Sequence, residues 1–63
     1  MSDPRDQALD ELVILNGELE RLGVGVLVSL EAAELYPTAD LPALISATRV
    51  ELASVVRALA GLR

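Results

Sequence analysis

Residues 41–62, LPALISATRVELASVVRALAGL, decide the fold. Within them Leu41, Ile45, Thr48, Leu52, Val55, Leu59 and Leu62 recur at steps of four and three, a heptad stripe over three repeats. Asp40 stands in position to cap such a helix and Pro42 fits its first turn. Nothing from Ser46 to Ala60 is Gly or Pro, so the stretch predicts one continuous helix over about 41–60. The remaining faces carry Ala43, Ala47, Val50, Ala53, Ala58 and Ala60 and few charges, which predicts a helix covered on more than one side. A single hairpin partner covers one side only, so a second chain is expected.

Working outward, Asp3-Pro4 opens the first helix, with Asp3 as cap, Pro4 at the first helical position and Asp6 at the acid position of a capping box. Ala8, Leu12, Leu15, Leu19 and Leu22 draw its apolar stripe, Leu9, Val13 and Ile14 widen it, and Gly23 stops it. Asn16-Gly17 competes as a hairpin turn, but the leucine phase passes through it unbroken. The helix is therefore preferred, with Gly17 costing about 1 kcal/mol relative to Ala. Between the two helices, Val24, Val26, Val28 and Leu30 alternate with Gly25, Leu27 and Ser29 at a strand period, yet no second strand exists to pair with them. Residues 24–28 stay open, and 29–36 are expected to be a short helix capped by Ser29 and ended by Pro37. The expected fold is all-α: a single small helical domain over residues 1–63, with two longer helices and a short central element. They would form an antiparallel helical hairpin or three-helix unit completed by oligomerisation.

Composition supports that expectation. In 63 residues and 6.7 kDa, 52% are hydrophobic but only Tyr36 is aromatic, so the core is built from the 22 Leu, Val and Ile residues and from Ala. At this size folding buries only about 60% of the unfolded surface. The net charge of −5 is uneven: residues 1–40 hold nine acids against Arg5 and Arg21, whereas residues 41–63 hold Arg49, Arg57 and Arg63 against Glu51. The N-terminus is acidic and polar, unlike a signal peptide, and the apolar run Val24–Leu30 is too short to span a bilayer. A cytoplasmic protein without membrane contact is the expectation.

Catalysis fares poorly on this residue set. Without Cys, His or Lys, a nucleophile would be Ser29, Ser46, Ser54, Thr38, Thr48 or Tyr36, activated only by a carboxylate. The pairs Glu31/Glu34 and Asp10/Glu18, and the acids Asp3, Asp6 and Asp10, read as solvated helix surface and dipole complement. Gly23-Val24-Gly25 lacks the remaining residues of a phosphate loop. No catalytic residue, metal ligand or cofactor is expected. The expected site is an interface of Leu12, Leu15, Leu19, Leu22, Leu41, Ile45, Leu52, Val55 and Leu59, meeting a second copy or a partner helix.

Residues 44–59, from Leu44 through Thr48-Arg49-Val50-Glu51 to Ser54-Val55-Val56-Arg57-Ala58-Leu59, resemble without gaps the helix-turn-helix of winged-helix regulators. The resemblance implies a DNA-binding transcriptional regulator. Arg49, Ala53, Ser54 and Arg57 would then be the DNA-binding residues, Val50 and Val55 the core, and Thr48–Glu51 the turn. Leu35-Tyr36-Pro37-Thr38, with Leu41 and Leu44, resembles the late loop of acyl and peptidyl carrier proteins, whose modified serine would stand at Glu11. One continuous amphipathic helix explains residues 44–59 equally, and three arginines are few for phosphate neutralisation. Nucleic acid is therefore a possible partner but not the favoured one. A non-enzymatic interaction or self-assembly module is the preferred function, with the helix-turn-helix regulator as the alternative.

Overall fold

The computed structural model describes residues 3–62, which form three helices: α1 (Pro4–Arg21), α2 (Leu30–Ala33) and α3 (Leu41–Gly61), the last entered through a 3-10 turn at Thr38–Asp40. Among these residues there is no strand. Met1, Ser2 and Arg63, the last of them counted above with the C-terminal bases, lie outside the described residues.

Both ends of α1 follow from local chemistry. Asp3 adopts an extended backbone and its Oδ1 accepts from the Arg5 N–H at 2.9 Å, satisfying one free donor of the first turn. At the other end Gly23 takes φ +82°, the Val24 N–H reaches Leu19 O and the Gly23 N–H reaches Glu20 O, each at 3.0 Å. This paired closure is a Schellman motif, and it needs a residue without Cβ at Gly23. The helix runs through Asn16-Gly17 without a break, since Leu12, Asn16 and Leu19 share one buried face. Apart from its chain neighbours and the helix's own backbone, no heavy atom lies within 4 Å of a Cβ built on Gly17. Gly17→Ala is therefore expected to raise stability by about 0.5 to 1 kcal/mol, and Gly23→Ala to lower it by about 1 kcal/mol, read as opposite shifts of the urea midpoint.

α2 forms where Ser29 caps it, its Oγ accepting from the Ala32 N–H at 3.2 Å. It stops at Ala33, short of the expected Tyr36. Pro37 biases its predecessor away from helical geometry, and Leu35 is 86% exposed, so no packing extends the helix. Residues 24–28 do show a two-residue alternation, with Val24, Val26 and Val28 half-buried and Gly25 and Leu27 exposed, but they lie against the chain's own helices and join no sheet. Asp40 makes no side-chain cap to α3. Its backbone is already helical from the preceding 3-10 turn, and a cap needs extended geometry to aim its oxygen back at the helix.

The expected antiparallel packing is corrected: α1 and α3 run parallel. Pro4 and Pro42 line one cavity near the N-termini of both helices, Glu11 pairs with Arg49 further along, and Leu22 meets Val56, Leu59 and Ala60 at the far ends. The nineteen residues 22–40 make this possible by carrying the chain back beside α1, a distance of about 27 Å for its 18 residues. Two tethers mark that return. Asn16 Nδ2 donates to Val28 O at 3.2 Å. The Arg5 guanidinium donates to Tyr36 O at 2.9 Å, to Thr38 Oγ1 at 3.2 Å and to Glu34 O. The core lies between the three helices, with Leu12, Ala33 and Leu41 fully buried, Ile45 nearly so, and Ala8, Leu9, Leu15, Val28 and Leu44 packed around them. Leu19 is fully buried as well. Thr48, also buried in the stripe, satisfies its hydroxyl by donating to Leu44 O at 2.9 Å.

Candidate interaction surface

Parallel packing changes what the apolar stripes do. Of the nine residues expected at an interface, Leu12, Leu19, Leu41 and Ile45 are buried within the chain itself, and Leu15, Leu22, Leu52 and Val55 are half-buried. Only Leu59, 43% exposed, is free to meet another molecule. Their burial has a simple cause: the return segment and the parallel neighbour together cover this face.

The free apolar surface lies elsewhere. Val13, Leu27 and Leu30 are all at least 36% exposed. Val13 and Leu30, with Gly17, Glu20 and Val26, line a cavity of about 330 Å³ between α1 and the return segment. On α3, Val50 is 69% exposed, and Ala43, Ala47, Ser54, Arg57 and Gly61 are exposed with it. Positions 43, 47, 50, 54, 57 and 61 recur at steps of four and three, a second heptad stripe on the outside of the helix. At the shared C-terminal end, Leu22, Val56, Leu59 and Ala60 line a smaller cavity of about 220 Å³. Sequence reasoning missed the Val13, Leu27 and Leu30 surface. The return segment that builds one wall of it has no helical period, and its alternation gave no hint of what it would lie against.

The residues implied by the helix-turn-helix resemblance sit on an unbroken helix. Thr48–Glu51, the implied turn, is helical, and Val50, an implied core residue, is exposed. Arg49 pairs with Glu11 across the furrow between α1 and α3, a cavity of about 360 Å³. Ala53, Ser54 and Arg57 are exposed on α3.

The charges separate by side. α1, its cap Asp3 and the return segment carry nine acids, and both of their arginines are engaged, Arg5 on the backbone of residues 34 and 36 and on Thr38, Arg21 on Glu18. On α3, Glu51 is half-buried, while Arg57 is exposed and has no ion-pair partner among the described residues. Among the described residues no cluster of His, Cys, Asp or Glu is placed to hold a metal ion, and no helix is long and apolar enough to cross a membrane. Ser29 and Thr48, two of the candidate nucleophiles, use their hydroxyls within helices. What the surface offers chemically is apolar area and separated charge. No protein family, curated protein or solved structure matches this chain.

Proposed function

We propose that the chain is a non-enzymatic assembly module whose outward apolar surface binds further copies of itself. The observation that carries this reading is the accessible surface of 4478 Å². A folded monomer of 6.7 kDa is expected to expose about 3,900 Å², so roughly 570 Å² remain in excess. That excess is of the order of one partner's share of a standard interface, about 800 Å². The molecule is also elongated, 43 × 20 × 16 Å, which leaves much of each helix without a neighbour. Exposed Val50 lies among Ala43, Ala47 and Ser54 on a face that holds no acid, so burying it desolvates little that is charged.

Association stabilises the folded state by mass action. Raising the protein concentration about a hundredfold through the micromolar range is expected to increase apparent stability by about 2 to 3 kcal/mol, read as a rise in the urea midpoint. A midpoint independent of concentration would refute self-association.

A further inference from the structure

We infer that copies of this chain join head to tail, the outer face of α3 on one copy seating in the groove that α1 and the return segment form on the next. This inference rests on the assembly reading above and adds the two faces and their register.

The faces complement each other in shape and charge. The groove is apolar along Val13, Val26 and Leu30, and Glu20 lines it. Gly17 lies between Val13 and Glu20 with open space above it, so a helix can approach closely there. The outer face of α3 presents Val50 and Arg57 among Ala43, Ala47 and Ser54 and holds no acid. Val13 and Glu20 are seven residues apart on α1, and Val50 and Arg57 are seven residues apart on α3. Two turns of helix separate each pair, about 10.5 Å in both cases. With the incoming α3 parallel to α1, Val50 of the second copy therefore reaches Val13 and Leu30 as its Arg57 reaches Glu20. Parallel α1–α3 packing is the arrangement the chain already uses internally, where Glu11 pairs with Arg49.

Pairing groove against groove about a two-fold axis would instead set two acidic sides together. Joining unlike faces avoids this and brings the exposed arginine to a carboxylate. A contact between unlike faces does not close on itself at two copies, so it extends to a ring or a filament.

Val50→Glu blocks the α3 face and leaves the groove, while Leu30→Glu blocks the groove and leaves the α3 face. Both positions are exposed, and an acid in the first turn of α2 suits the helix dipole. Far-UV circular dichroism checks that each variant stays helical, and Val13→Glu replaces Leu30→Glu if it does not. In sedimentation velocity each variant alone is expected to run as a monomer, and an equimolar mixture as a species of twice that mass. Glu20→Arg and Arg57→Glu should each weaken association of the otherwise unaltered chain about tenfold, and the two combined in one chain should restore it. If the unaltered chain associates but a single blocked variant still does, or the mixture stays monomeric, the head-to-tail contact is overturned while assembly stands. If the unaltered chain is monomeric, both fall.

Discussion

Leu12→Ala should remove about 3 kcal/mol of stability, because a fully buried leucine leaves a cavity between α1, α2 and α3 that so small a core cannot refill. At roughly 0.05 to 0.15 kcal/mol per residue, the whole chain has about 3 to 9 kcal/mol to lose, so the variant lies near or past its unfolding midpoint in plain buffer. Leu59→Ala, on the apolar stripe of α3 but 43% exposed, should cost under about 1 kcal/mol when the protein is dilute. Urea titrations followed by circular dichroism at one low concentration separate the two. Equal losses at both positions would mean that the buried face has been misplaced.

The second large effect is at Asn16, which is 9% exposed, donates through Nδ2 to Val28 O at 3.2 Å, and keeps Oδ1 without a hydrogen-bond partner among the described residues. Asn16→Asp puts an ionisable carboxyl there. When ionised it has no proton to give to Val28 O and must be desolvated, so its folded-state pKa is raised above the unfolded value of about 3.9. The sign follows from linkage. At about pH 3 the carboxyl is protonated in both states, and it can still donate to Val28 O, so the variant sits close to the native protein. As pH climbs past about 3.9 the unfolded chain ionises first and the variant loses ground until the folded pKa is passed. By about pH 7 the deficit should reach roughly 3 kcal/mol, the equivalent of about two pKa units. The check is the difference between variant and native midpoints across this range. The same deficit at both ends would show that lost packing, and not charge, is responsible.

Both residues illustrate what could be read from the letters. The existence of both long helices and the ends of α1 were legible, because leucine spacing, Asp3-Pro4 and Gly23 are local signals acting over one or two turns, whereas α3 starts through a 3-10 turn and not through the Asp40 cap its letters announced. Ser29 announced α2 for the same reason. The direction of α3 against α1 was not legible. A heptad stripe is compatible with either direction, and the choice depends on whether residues 22–40 turn sharply or travel back along α1. That segment is held by Arg5 reaching across to the backbone at residues 34 and 36 and to Thr38, and by Asn16 reaching Val28, contacts between positions 12 to 33 apart that no short-range pattern encodes. The candidate site shifted for the same cause. With the return segment over the stripe, Leu12 and Leu41 became core, and the outward role passed to Val13, Leu30 and Val50.

Self-association of the isolated chain is the point on which everything functional turns, and sedimentation equilibrium measures it most directly. Over about 10 to 200 μM at roughly 150 mM salt, the weight-average mass should exceed 6.7 kDa and rise with concentration. Adding duplex DNA should leave it unchanged, since an acidic chain makes few phosphate contacts at that ionic strength. A mass of 6.7 kDa at every concentration would contradict self-assembly, and a saturable complex with one DNA sequence would turn the exposed α3 face, with Ser54 and Arg57, toward the regulator reading instead.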